Sequence, residues 1–172
     1  MAEETLARQT GALLLARSDE CAVWQFRNES GDGTMTVYPV FEGVALNFND
    51  FHMVYFDSGF APEAELLAVD HCREGRMEYA AAENAVGYMS AGDVKLDRRR
   101  HTGRFVFPTG HDHGLTVGLD LAAARRTLQT ELRPFGVAVD LILERFSLGE
   151  YPRVLHNAGM MEPIFGEMYC VP

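Results

Sequence analysis

The sequence predicts a mainly β fold, a barrel of about seven short strands followed by two or three C-terminal helices. Three observations carry that expectation. Between residues 21 and 121, runs rich in Val, Phe, Tyr and Leu are separated by clusters of Gly, Asp, Asn and Pro at the spacing of a sandwich or barrel. In the last run His113, Leu115, Val117 and Leu119 alternate with Gly114, Thr116, Gly118 and Asp120, the two-residue period of a strand with one buried face. After Asp120 the period lengthens and residues that favour helix take over.

Residues 1–20 are mixed in charge and weakly periodic, an arm or a short helix ahead of the first convincing strand. The breaks between strands follow in order: Asn28-Glu29-Ser30-Gly31-Asp32-Gly33, Phe41-Glu42-Gly43, Asp57-Ser58-Gly59-Phe60-Ala61-Pro62, Glu83-Asn84, Ala91-Gly92-Asp93 and Pro108-Thr109-Gly110. A helix is expected over residues 122–132, capped by Asp120 and ended by Pro134. A second, over residues 139–146, sets Val139, Ile142, Leu143 and Phe146 on one stripe. A third starts near Met161 and carries Ile164, Phe165, Met168 and Tyr169, with Gly166 weakening it. The organisation is thus an arm (1–20), a barrel (21–121) and a helical segment (122–172) that either caps the open barrel or couples two copies as a homodimer.

A chain of 172 residues suits one domain with a sizeable core, and 47% apolar against 23% charged residues is ordinary for a globular protein. The net charge of −10 sets the surface against a nucleic-acid duplex, so this portion is not expected to bind DNA by itself. The basic cluster Arg98, Arg99, Arg100, His101 and Arg104 has no interleaved aromatic and reads as a solvated loop. Cys21, Cys72 and Cys170 are too widely spaced for a disulfide framework or a zinc knuckle, and a reducing cytoplasmic location is expected. Leu13-Leu14-Leu15 follows Glu3 and Glu4 and is too short for export or spanning, so no membrane partner is expected.

Chemistry-bearing residues fall into a few groups. On a strand Leu67, Val69, His71 and Arg73 share a face; if that face lines the lumen, a polar pair enters an apolar pocket and Arg73 requires an anionic or acceptor partner. The opposite facing brings in Cys72, Glu74 and Glu78, and a bulge at Gly75 would switch the facing midway. The bland alternative is a surface ladder of Arg73, Glu74, Arg76 and Glu78. Asn47, Asn49 and Asp50 interrupt an aromatic strand that includes Phe48, Phe51 and Tyr55; they mark a bulge or corner in preference to a sugar-binding rim. Trp24, beside Val23 and Phe26, reads as core. No nucleophile elbow or phosphate loop is present, and Cys72 beside His71 lacks a base, because neighbours on a strand point apart.

Three segments carry a family resemblance: Leu46-Asn47-Phe48-Asn49-Asp50-Phe51-His52-Met53, then Asp70-His71-Cys72-Arg73-Glu74-Gly75-Arg76-Met77-Glu78, then Gly103-Arg104-Phe105-Val106-Phe107-Pro108 running into His111-Asp112-His113-Gly114-Leu115. They resemble a subgroup of AraC-type transcription regulators from anaerobic bacteria. The resemblance implies a cupin-like double-stranded β-barrel that senses an effector or mediates dimerisation, joined through helices to a helix-turn-helix pair. No such pair is legible in this chain, so DNA is expected to be reached only through a segment not included in it.

The ligand-binding residues expected on this reading are Asn49, His52, His71, Arg73, Glu78, His111 and His113, around a small effector such as a sugar or small anion, with no cofactor and no catalysis. The alternative is a metal-dependent cupin enzyme of isomerase or dioxygenase type. Cupin enzymes hold a metal with a His-x-His pair, a Glu and a later His in Pro-x-Gly-x-x-His; Pro108-Thr109-Gly110-His111-Asp112-His113 satisfies the second motif, and His71, His111 and His113 would be the ligands. Arg73 stands where a second neutral imidazole is needed and should repel a cation. A third possibility is a dimerisation scaffold with a solid interior.

Overall fold

The computed structural model describes residues 3–61, 64–82, 85–98, 101–131, 133–136, 138–146 and 151–170. The fold is mainly β and antiparallel. A short helix α1 (Glu3–Thr10) precedes ten strands: β1 (Leu13–Arg17), β2 (Ala22–Asn28), β3 (Gly31–Phe41), β4 (Val44–His52), β5 (Tyr55–Phe60), β6 (Leu66–Ala82), β7 (Ala85–Ser90), β8 (Val94–Asp97), β9 (His101–Val106) and β10 (Asp112–Asp120). Helices α2 (Leu121–Glu131) and α3 (Val139–Arg145), strand β11 (Arg153–Leu155) and helix α4 (Glu162–Met168) complete the chain.

More strands form than the runs suggested: nine lie between residues 21 and 121, β1 arises from the arm and β11 from the expected helical segment. The last two each pair with an edge that was already there, β1 with β2 and β11 with β8. All strands belong to one hydrogen-bonded network in the order β1-β2-β3-β4-β10-β6-β8-β11, with β5, β9 and β7 branching from it. The 17-residue β6 is the hinge of the architecture. Its first half pairs with β10 and β8, its second half with β7 and β9, so two antiparallel sheets face one another across a hollow.

The two halves of β6 present opposite parity to the hollow. His113 of β10 pairs with Glu74 but Gly114 pairs with Cys72, leaving Arg73 as the extra residue of a bulge. A register slip of one residue exchanges the faces of a strand. Ala68, Asp70 and Cys72 therefore face inward before the slip, and Met77 and Tyr79 after it. At the slip the strands approach so closely that a Cβ on Gly114 would overlap the His71 carbonyl oxygen, which restricts position 114 to glycine. The switch anticipated at Gly75 thus occurs two residues earlier. No bulge occurs at Asn49-Asp50: β4 pairs with β10 in unbroken register there, and the register shift against β3 lies between Pro39 and Phe41.

Two apolar clusters result. One contains Leu67, Val94, Leu96, Leu115 and Leu119 with Leu121, Ala124, Leu128, Val139 and Phe165, and it joins the outer face of the large sheet to α2, α3 and α4. Each of Leu67, Leu115 and Leu121 is fully buried, which contributes about 2 kcal/mol apiece. The other contains Trp24, Phe26, Met53 and Phe107 and lies between the sheets. The apolar face of β10 that periodicity revealed is the one beneath the helices, while its thinner Gly-Thr face turns to the hollow. Asp120 caps α2 as expected, its Oδ1 accepting from the N–H groups of Ala122 and Ala123 at 3.0 and 3.1 Å. Residues Arg133–Phe135 form a 3-10 turn after it, where Pro134 prevents further α-helix.

Candidate functional site

Cross-strand register assembles the polar part of the hollow. One row runs Ala22–Val37–Asn47–Thr116–Asp70–Lys95 across six paired strands, passing from apolar to charged. The row on one side is Trp24–Met35–Asn49–Gly114–Cys72, and on the other Ala45–Gly118–Ala68–Asp97. Glycine and alanine flank the polar row, and the missing side-chain volume leaves a cavity of about 580 Å³. Phe26, Phe51, Phe56, Phe105, Phe107, Met77 and Met89 border it from both sheets, and Thr10, Arg17, Ser18, Asp19 and Ser58 add a second polar stretch to its lining. Phe51 stacks on Phe107 at 5.7 Å between centroids and meets the edge of Phe26 at 5.5 Å, so this wall is fixed by its own packing.

Lys95 is the unusual residue of the cavity wall, a lysine only 1% exposed. Its Nζ lies 3.0 Å from Asp70 Oδ2 and 3.8 Å from Asp97 Oδ2, and 4.6 Å from the Tyr79 ring centroid. Burial opposes the ammonium, but the two carboxylates outweigh it and raise the pKa, so Lys95 is a cation and not a nucleophilic amine. Asp70 Oδ1 accepts from the Thr116 hydroxyl at 2.6 Å, and Thr116 Oγ1 accepts from Asn49 Nδ2 at 3.2 Å. Asn47 Oδ1, in the same row, is buried with no hydrogen-bond partner among the described residues. None of Lys95, Asp70 and Thr116 was singled out from the sequence; the signal available was the polar alternation of Asp70 and Thr116 along otherwise apolar strands.

Asp112 and Cys72 sit together on the wall. Cys72 Sγ is 3.6 Å from Asp112 Oδ1, and burial pushes the Asp112 carboxyl up to about 6, with the neighbouring Asp70 charge adding to it. Burial pushes the Cys72 thiol up as well, so it remains protonated and unsuited to nucleophilic attack. All three cysteines are free.

The residues proposed from the sequence scatter over this architecture. Asn49 lies on the cavity wall. His71 and Arg73 lie on the opposite face, beneath α4, because the helices cover the apolar face that Leu67 and Val69 occupy. His71 borders the cavity only as a member of its strand. Its ring stacks on Phe165 at 4.2 Å, its Nδ1 is 3.1 Å from Tyr169 Oη, and its Nε2 is 3.5 Å from Glu162 Oε2. Burial lowers the His71 pKa, partly opposed by Glu162. The Arg73 guanidinium lies 4.7 Å over the Tyr169 ring, and His113 meets the edge of the same ring at 6.0 Å. His111 sits in the Pro108–Gly110 turn with Nδ1 3.2 Å from the Thr109 carbonyl oxygen. His52 is exposed and pairs with Asp50 at 3.0 Å. Glu78 pairs with Arg76 at 2.9 Å on the outside of the small sheet, the ladder-like reading of that segment.

The candidate metal ligands His71, His111 and His113 do not converge, and among the described residues no three His, Cys, Asp or Glu side chains form a metal-binding group. In the basic cluster, Arg104 makes a two-pronged pair with Asp57 at 2.8 and 2.7 Å, and Arg98 lies 3.8 Å from Glu65, while positions 99 and 100 fall outside the described residues. No described helix is long and apolar enough to cross a membrane.

No protein-family model matches the chain, and no curated protein matches it. Among solved structures it is similar to the EutQ protein of Clostridium difficile, with 12% identity, TM-score 0.39, and coverage of 56% of this chain and 70% of that one. It is also similar to a structure described as ethanolamine utilization protein Q of Salmonella typhimurium, with 17% identity, TM-score 0.38, and coverage of 61% and 77%. A third is a variant of the oxalate decarboxylase of Bacillus subtilis, with 12% identity, TM-score 0.37, and coverage of 83% and 43%. Likenesses this distant transfer no activity or ligand to the chain.

Proposed function

We propose that the chain is a ligand-sensing module of an AraC-type regulator, binding a small molecule in the cup without turning it over and passing its state to the C-terminal helices. One observation carries the reading: β6 holds Asp70 and Cys72 against the cavity and His71, between them, against Phe165 and Tyr169 of the α4 region. A ligand that shifts β6 on one face must alter the seat of α4 on the other, since a packed strand transmits displacement. Hollow space with polar groups argues for a ligand over a solid scaffold.

The same reading takes the exposed apolar residues Leu141, Met160 and Ile164 of the helical segment as the contact of a homodimer, and a cytoplasmic location. DNA would be engaged by a further segment of the regulator. Thermal shifts against sugar, alcohol, amine and organic-acid libraries, with hydrogen exchange of residues 162–168, test the proposal. Gly118→Val is the control, because a Cβ at Gly118 meets nothing closer than 3.8 Å and a larger side chain there narrows the cavity beside Asn47. Binding that alters exchange in α4 and is lost in the variant is expected. Flat shifts throughout, or turnover of any compound, overturn it.

A further inference from the structure

Strand β1 ends the hydrogen-bonded order, and among the described residues only β2 pairs with it. All five of its residues are exposed, Leu13 by 61%, Leu14 by 38% and Leu15 by 51%. Leu13 and Ala16 stand opposite Gln25 and Val23 on the outer face of the sheet, Leu14 stands opposite Trp24 on the cup face, and Leu15 is the extra residue of a bulge. The strand is therefore apolar on both faces, with a free edge whose backbone groups can extend the sheet. Folded chains guard such an edge with charge, proline or a bulge. Strand β1 has the bulge, and its one charge, Arg17, lies at its last position.

The surface beside this edge is uncharged. Across β1, β2 and β3 the outward rows are Ala16–Val23–Thr36 and Leu13–Gln25–Thr34. The helical layer reaches Leu46 and Phe48 of β4, and none of the described apolar residues packed into that layer comes from β1, β2 or β3. In a chain of net charge −10, such a strip is where a second acidic surface can approach without repulsion.

The two ends of β1 are complementary in charge. Arg8, exposed in the last turn of α1, precedes the strand, and exposed Asp19 and Glu20 follow it and outnumber Arg17. Antiparallel pairing of two copies sets each acidic exit beside the basic entry of the partner, whereas parallel pairing sets like against like. We infer that β1 is a contact between two copies of this chain, paired antiparallel about a two-fold axis near Leu15, so that the large sheet runs on from one molecule to the other. The contact is separate from the helical one proposed above and does not depend on what the cup holds. The bulge limits pairing to short arms on either side of Leu15, so the association is weak and concentration-dependent.

Sedimentation of the chain between about 1 and 500 µM reads the association. Leu13→Lys combined with Leu15→Lys, both at exposed positions and checked by circular dichroism as folded, should weaken it at least about tenfold, while Ile164→Lys leaves the β1 contact intact. Backbone hydrogen exchange at residues 13–17 should slow as the parent associates, a protection that side-chain contacts alone do not give. Where the helical contact also forms, the parent reaches four copies and each variant two. Association that the lysine pair leaves unchanged, or that Ile164→Lys alone dissolves, overturns the inference. So does exchange at residues 13–17 that is independent of concentration, or a parent that stays monomeric throughout.

Discussion

Asp70 and His71 are consecutive residues of β6 whose side chains lie on opposite sides of the sheet: the carboxylate is 3.0 Å from Lys95 Nζ in the cup, and the imidazole is stacked 4.2 Å from Phe165 outside it. The pair joins the cavity chemistry to the helical layer through one peptide unit.

Removing the cation from this arrangement should be costly. Lys95→Met leaves Asp70 and Asp97 without their shared ammonium in a buried setting, and a loss of about 3–5 kcal/mol is expected in urea unfolding. Adding Asp70→Asn to that variant should recover part of the loss.

Asp112 is expected to act in the opposite sense. Its folded pKa of about 6 lies above the ordinary carboxyl value of 3.8, so its stabilising contribution is full below 3.8 and lost as pH rises through 6. Asp112→Asn keeps an oxygen acceptor for Cys72 and should raise stability at pH 7 by about 2–3 kcal/mol, with little gain at pH 4. Unfolding free energies at the two pH values check the difference.

His71 should produce an acid-sensitive seat for α4. Its folded pKa is lowered from 6.5 by burial, so the stabilising contribution of the neutral ring is full above 6.5 and lost as pH falls through the folded value. His71→Phe keeps the contact with Phe165, gives up the Tyr169 bond, and should remove this component of the pH dependence. Hydrogen exchange in residues 162–168 as pH falls from 7 to 5 should accelerate in the parent and change less in the variant.

Asp93 fastens the segment that leads into α4. Its carboxylate accepts from the Ser90 N–H at 2.8 Å, the Asn157 N–H at 2.9 Å and His156 Nδ1 at 3.0 Å. Burial raises its pKa, but these bonds outweigh it and hold the carboxyl below 3.8, so its contribution is present above that value and lost as pH falls through the folded one. Asp93→Ala should cost about 2–3 kcal/mol at neutral pH and speed exchange at residues 153–158 before the strands of the cup.

Strand alternation, turn residues and the change to helical spacing after Asp120 were enough to establish a mainly β fold with trailing helices, because each is a local property of backbone geometry. Asp120 as a cap and Trp24 as a packed residue were legible for the same reason. The arm was legible only in part: its short helix is α1, whereas Leu13–Arg17 becomes a strand only when the edge of β2 is there to receive it.

Facing was decided by tertiary structure. The sequence marked Leu115, Val117 and Leu119 as one buried face, but a cup and a helical layer both bury apolar residues, and alternation cannot say which partner covers them. The helices took that face, carrying His71 and Arg73 with it, and the cavity was left with Gly114, Thr116, Gly118, Asp70 and Lys95. The slip at Arg73 then exchanged the parity of β6, so no uniform alternation could place its two halves. What the chain itself determined was the pattern of strands and helices, which short-range geometry dictates. Which residues meet in the cup followed from long-range register and helix docking, which exist only after the chain has folded.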